Sequence, residues 1–137
     1  MLRIYLDTNI VIYLVEDSPN APQVQAYLLS QVNATLYSSN LTLMECLVKP
    51  LQQGDLAMQR RFVTFFQSLA IVPARRQVFR RAAQIRAATR LRTPDSLHIA
   101  FASCARCDIF LTGDSQIAQQ WQQWVGRYSY PSRIVVL

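Results

Sequence analysis

The chain has 137 residues, 51% of them apolar and only 3 of them glycine, which is enough for one domain with a buried core and excludes a disordered chain. No apolar run approaches the ~20 residues of a membrane-spanning helix. The net charge is +6, and of 14 basic residues all but Lys49 are Arg, whose planar fork suits phosphate and stacks on bases, so the balance favours a polyanionic partner.

The first predicted element is a buried strand over 2–6, Leu-Arg-Ile-Tyr-Leu. Asp7, Thr8 and Asn9 follow, and then an apolar run with helical spacing through Ile10, Tyr13 and Leu14. Asp7 thus stands where a strand ends and a helix begins, the edge at which open α/β sheets bind ligands. Asp is also a favoured helix N-cap, so this stretch alone leaves both roles open. An acid at position 7 breaks any signal-peptide core, and no small-residue cleavage site follows. The expectation is a cytoplasmic protein.

Residues 16–22 form a turn-rich loop. A helix is expected over about 22–32, with Val24, Tyr27, Leu28 and Leu29 on one side, then a short strand at 35–38. Ser39-Asn40 offers a cap for a helix over about 41–50, ended by Pro50. Leu41, Met44 and Val48 form its apolar stripe, and Glu45 projects into the same sector. A carboxylate on a buried face is costly unless it is paired or binds a cation. The alternative is an exposed pair with Lys49, worth about 0.2–0.5 kcal/mol.

Asp55 reads as the cap of a helix reaching about Leu69, with Leu56, Phe62, Phe65, Phe66 and Leu69 as core candidates. A third strand is expected at 70–73 and a helix over about 75–90. Arg75, Arg76, Arg80, Arg81, Arg86, Arg90 and Arg92 dominate that polar surface, either as a stripe facing RNA or as a solvated face. Thr93-Pro94-Asp95 reads as the start of the next helix, with Thr93 as cap and Pro94 as the first helical residue. That helix is apolar on almost every side through Ala105, so it is expected to be buried. Asp95 is its only acid, and interaction with the helix dipole, about 0.3–1 kcal/mol, competes with a ligand role. His98, one turn on, reads as packing or as support for a ligand rather than as a ligand.

Residues 108–114 give a fourth strand and a polar turn, so Asp114 repeats the placement of Asp7. A last helix over 115–124 carries Ile117, Trp121 and Trp124, and a fifth strand closes the chain at 133–137. Strands alternating with helices predict a parallel sheet covered on both faces, a three-layer α/β/α domain spanning 1–137. Cys104 and Cys107 lie in an apolar run with one His in the whole chain, too few ligands for zinc. They and Cys46 are read as buried packing.

The chain has only eight acids. Glu16, Asp17, Asp55 and Asp108 sit in loops or at helix ends, where solvation or capping accounts for them. Asp7, Glu45, Asp95 and Asp114 are placed to converge on one sheet edge. Carboxylates so gathered repel unless a cation binds. Hard oxygen donors select Mg2+ or Mn2+, and two such ions about 3.5–4 Å apart make a phosphodiesterase. With no Ser–His–acid set and no reactive Cys, a metal-activated water is the natural nucleophile. Asn9 and Thr112 are candidates to support its water shell.

Leu6-Asp7-Thr8-Asn9, Leu41-Thr42-Leu43-Met44-Glu45, Thr93-Pro94-Asp95-Ser96-Leu97-His98-Ile99-Ala100 and Leu111-Thr112-Gly113-Asp114 together resemble the motifs of PIN-domain ribonucleases. They are most similar to the VapC-type toxins of bacterial toxin–antitoxin pairs, in order and over nearly the whole chain. The resemblance implies metal ligands at Asp7, Glu45, Asp95 and Asp114, with assisting polar residues at Asn9 and Thr112. It further implies a PIN-like fold with a five-stranded parallel sheet and Mg2+- or Mn2+-dependent cleavage of single-stranded RNA. A homodimer and a cognate antitoxin that blocks the site complete the picture. Among rivals, a haloacid-dehalogenase-like phosphatase needs a second Asp where Asn9 stands, and a phosphoreceiver needs an acidic pair that is missing. A structure-specific DNA nuclease is a third possibility, weakened because this compact chain has no inserted arch or clamp to hold DNA. The strongest rival is a non-catalytic RNA-binding or scaffold domain on the same fold.

Overall fold

The computed structural model describes residues 1–122 and 127–137. Five strands, β1 (Leu2–Leu6), β2 (Ala34–Ser38), β3 (Ala70–Ile71), β4 (Ile109–Thr112) and β5 (Arg133–Val136), form one sheet in the order β3-β2-β1-β4-β5. All neighbouring pairs are parallel. Side chains alternate across the pleat. Ile4 and Leu6 of β1, with Ile109 and Leu111 of β4, face one core, whereas Tyr5 and Phe110 face the other. Helices α1 (Thr8–Val15), α2 (Ala21–Ser30), α3 (Asn40–Gln52) and α4 (Leu56–Phe66) cover the first face. Helices α5 (Arg76–Ala88), α6 (Thr93–Cys104) and α7 (Ser115–Gln122) cover the second. This is the expected α/β/α architecture with a five-stranded parallel sheet. Trp124, read as part of the last helix, lies outside the described residues.

Strand order places the functional edge. From β1 the chain builds outward through β2 and β3, then returns to the other side of β1 for β4. The crevice above β1 and β4 is therefore the topological switch point, where parallel α/β sheets bind ligands. The backbone link across it is the Asp7 N–H donating to the Leu111 carbonyl at 2.9 Å. At the opposite edge Asp108 accounts for its own charge without a ligand. Its Oδ2 accepts from the Arg3 N–H at 2.9 Å, and its carbonyl accepts from Ser132 and Arg133 at the start of β5.

Several expectations need correction. The buried face of α3 is Thr42, Cys46 and Pro50, while Met44 (58% exposed) and Val48 (48% exposed) point to solvent. The helix is rotated by about one residue from its apolar pattern because Thr42 is drawn inward onto His98, 3.4 Å from Nδ1. Nor does α3 stop at Pro50. The missing N–H falls in the final turn, the ring is buried, and the Pro50 carbonyl accepts from the Asp55 N–H at 2.8 Å. Gly54, at φ +64, makes the left-handed turn that follows. Leu29 and Leu56 are exposed rather than core. Helix α4 ends at Phe66, three residues short, and β3 has shrunk to two residues. The cap of α6 is Arg92, with Thr93 and Pro94 already inside the helix. Cys46 and Cys107 are buried as expected, but Cys104 is only half-buried.

Candidate metal and nucleic-acid site

The carboxyl end of β1 delivers Asp7. It is buried, and its extended backbone makes it the N-cap of α1, with Oδ1 accepting the Thr8 N–H at 2.8 Å. The capping role and the edge position therefore coexist. Its Oδ2 accepts from the buried Thr112 hydroxyl at 2.7 Å. That same Thr112 oxygen accepts the Asp114 N–H at 3.1 Å. One hydroxyl thus ties together the acids at the ends of β1 and β4. Asp114 Oδ1 accepts the Gln116 N–H at 2.9 Å, anchoring the start of α7.

Asn9 has a structural task. Its Oδ1 accepts the Gly113 N–H at 2.9 Å and clamps the turn between Thr112 and Asp114. Gly113 is required by this close approach: a Cβ there would lie 2.8 Å from Tyr13 Oη and 3.3 Å from Asn9 Cγ. Gly113→Ala would push the Tyr13 ring aside and is expected to lower stability by roughly 1–3 kcal/mol, the range for forcing an extra methyl into packed surroundings, with the low end reached if Tyr13 swings clear. The displaced turn carries Asp114, so Mn2+ binding should weaken as well. Thermal melting and calorimetric Mn2+ titration of the variant check both; an unchanged pair of values would show that the turn adjusts freely.

Glu45 reaches the edge from α3, its side chain 30% exposed. Oε1 accepts from the Thr8 hydroxyl at 2.7 Å and lies 2.5 Å from His98 Nε2. Among the described residues it makes no ion pair with Lys49. Burial pushes its pKa up, but the hydrogen bonds from His98 and Thr8 and the charges of His98 and Arg92 outweigh this, so the net direction is down. Asp95 sits in the first turn of α6, 3.5 Å from Arg92 Nε. Burial raises its pKa. Arg92 pulls it back, Asp7 and Asp114 push it further up, and the net direction is up. Asp95 therefore senses the charges of both strand-end acids.

The four acids lie along one edge in linked sets rather than at a single point. Asp7 joins Asp114 through Thr112, and Asp7 joins Glu45 through Thr8 and His98. Asp95 couples to the first set through space. Among the described residues, no three His, Cys, Asp or Glu side chains are gathered tightly enough to hold an ion as they stand. One polar residue escaped the sequence reading: Thr8, which donates to Glu45 from the middle of the Asp-Thr-Asn segment. His98, read as packing or as support for a ligand, touches Glu45 and lies 3.7 Å from Asp7.

Beside the acids lies a polar groove of about 350 Å³ lined by Arg90, Arg92, Asp95, Asp114, Gln116 and Gln120, among others. The arginines of 75–92 divide in function. Arg81 donates to Ser103 Oγ at 2.9 Å and lies over the Tyr128 ring, Arg86 donates to the Leu91 carbonyl, and Arg92 pairs with Asp95. Arg75, Arg76, Arg80, Arg86, Arg90 and Arg92 are exposed, and Arg81 alone of the seven is half-buried.

A five-stranded parallel sheet in the order β3-β2-β1-β4-β5, covered by helices on both faces, defines a PIN-type fold. The PIN domain model matches residues 4–120, and the chain belongs to the PIN domain family. Solved structures share the fold. One is VapBC2 from Rickettsia felis bound to a DNA fragment from its promoter, with a TM-score of 0.72 at 18% identity, covering 87% of this chain and 93% of that one. A toxin–antitoxin complex from Klebsiella pneumoniae has a TM-score of 0.70 at 21% identity, covering 97% and 96%. VapBC-1 from nontypeable Haemophilus influenzae has a TM-score of 0.71 at 19% identity, covering 89% and 94%. No protein of curated function matches the chain significantly.

Proposed function

We propose that this PIN domain is a Mg2+- or Mn2+-dependent endoribonuclease that cleaves single-stranded RNA, and the toxin of a type II toxin–antitoxin pair. The observation that carries the reading is the set of carboxylates on the edge at the β1/β4 switch point, Asp7 tied to Asp114 through Thr112 and to Glu45 through Thr8. Like charges on one edge are relieved by protonation or by a bound cation. Membership of the PIN domain family, whose members are generally nucleases, supports the same chemistry.

Asp7, Glu45, Asp95 and Asp114 are the residues that would hold the ion, and an all-oxygen donor set suits a hard divalent cation. When bound, such an ion activates water and stabilises negative charge on the leaving oxygen. The chain's own residues supply the rest. Thr8 and Thr112 orient Glu45 and Asp7, and Asn9 holds the turn that carries Asp114. Arg90 and Arg92 line the groove beside the acids and can engage the phosphates flanking the cut. Gln116 and Gln120 in the same groove offer amides to the edges of unpaired bases.

The complexes named for its structural neighbours support an antitoxin partner. Met44, Val48 and Leu51, an exposed apolar row on α3, support a protein partner for that surface. A homodimer follows from the resemblance to VapC-type toxins. Among the described residues no helix is long and apolar enough to cross a membrane, and a cytoplasmic location is part of the proposal.

The purified chain, incubated with a single-stranded RNA and Mn2+, is expected to cleave it and to stop when EDTA is added. The same RNA annealed to its complement should be cut far more slowly. RNA binding without cleavage under saturating Mn2+ would favour the non-catalytic rival.

A further inference from the structure

His98 is outside the ligand set proposed above, yet Glu45 rests on it. Its imidazole is 2% exposed and both nitrogens are engaged. Nε2 lies 2.5 Å from Glu45 Oε1 and 3.3 Å from Thr8 Oγ1. An ionised carboxylate only accepts, so Nε2 carries the proton directed at Glu45. Nδ1 lies 2.9 Å from Tyr5 Oη, and with the ring proton on Nε2 it is placed to accept the phenolic proton.

The line continues. Tyr5 Oη is 2.7 Å from Ser39 Oγ, which leaves α3 without a side-chain cap although Ser39 occupies the cap position. Tyr5 is itself fixed by stacking on Phe110, with ring centroids 5.5 Å apart and planes 8° from parallel. Hydrogen bonds therefore run from the end of β2, through β1 and α6, to a carboxylate on α3. Thr8 donates to the same Glu45 Oε1 at 2.7 Å, and Met44 and Val48 beside Glu45 on α3 face solvent.

We propose that His98 is a positioning residue for the ion: its Nε2–H, backed by Tyr5, holds Glu45 in the orientation in which it serves as a ligand. The inference rests on the metal role proposed for Glu45. A hydrogen-bonded partner behind a ligating carboxylate limits its rotation and raises affinity for the ion.

The test is calorimetric Mn2+ titration of the intact protein and of Glu45→Gln, His98→Gln, His98→Asn and His98→Leu, with RNA cleavage measured in parallel. A Gln amide reaches the place of Nε2, whereas an Asn amide reaches only the place of Nδ1. His98→Gln is expected to stay within about 3-fold of the parent Mn2+ affinity, while His98→Asn and His98→Leu lose roughly 10–100-fold, the span for removing a ligand's supporting partner. Should His98→Leu fail to fold, the Gln and Asn pair still decides. Equal affinities for Gln and Asn, or parent-like affinity for Asn and Leu, overturn the positioning role while leaving the metal site intact. Unchanged Mn2+ binding by Glu45→Gln removes Glu45 from the ligand set, and the proposal falls with it.

Discussion

Asp7→Asn is expected to abolish RNA cleavage while leaving the fold in place. The loss should exceed the roughly 10–100-fold that follows removal of a partner behind a metal ligand, because Asp7 itself would be a ligand. Two features separate this from damage to the fold. The Asn carbonyl can still accept the Thr8 N–H, so the cap on α1 survives. Its amide nitrogen can donate to the Thr112 hydroxyl, reversing the bond that Asp7 Oδ2 accepts at 2.7 Å. Asn is as good a cap as Asp, so the change in stability should stay well below the ~1 kcal/mol of losing one. Cleavage rates at saturating Mn2+ and thermal melting of the same preparation make the measurement. A rate within tenfold of the parent would show that Asp7 only caps α1.

The fold was legible because its signals are local. Ile4 and Leu6 against Tyr5, and Ile109 and Leu111 against Phe110, face different cores with the period of a strand. Helical runs between the strands then require parallel pairing. Placing Asp7 and Asp114 at strand ends needed only the order of elements, since every strand of a parallel sheet ends at the same edge. The face of α3 was not legible, because Thr42 turns inward onto His98, 56 residues away in the chain. Thr42 and Cys46 turn inward and Met44 turns out, although an apolar count favours the reverse. His98 was read as support or packing, but its partner Glu45 lies 53 residues away, and no spacing rule connects them. The cap of α6 was misread for a related reason. Thr93 has the chemistry of a cap, but the turn into the helix is made one residue earlier at Arg92, which pairs with Asp95.

The arginines show a similar limit. Composition sees a row of like charges from 75 to 92, but Arg81 and Arg86 are committed to Ser103 and to the Leu91 carbonyl. Counting charge therefore overstates the surface left for a polyanion. The part nearest the acids is Arg90 and Arg92, which line the same groove as Asp95 and Asp114. On the proposed function, that positive charge would bring RNA to an edge whose carboxylates repel it.

Asp95→Asn is expected to reverse the order of melting temperatures between metal-free and metal-loaded protein. In the metal-free fold the Asp95 pKa is raised above 3.8, first by burial and further by Asp7 and Asp114, with Arg92 only partly offsetting them. A carboxyl raised in this way favours the fold when protonated. Its ionisation costs stability as pH climbs from 3.8 through the folded value, and that cost persists at neutral pH. Asn removes the cost, so the variant should melt above the parent at pH 7, with the gap closing at pH values below 3.8. Glu45 works in the opposite sense. Its lowered pKa gives stability above 4.5 that is lost as pH falls through the folded value, and this part should be the same in both proteins. Saturating Mn2+ then acts on the parent by mass action, about 2.7 kcal/mol at a hundred times Kd. The variant, one ligand short, gains little at the same concentration and should melt below the parent. If Asp95 instead serves only the dipole of α6, a favourable interaction of about 0.3–1 kcal/mol, the variant melts lower with and without Mn2+. Calorimetric scans of both proteins at pH 7, with EDTA and with Mn2+, distinguish a crossing of the two orders from a constant deficit.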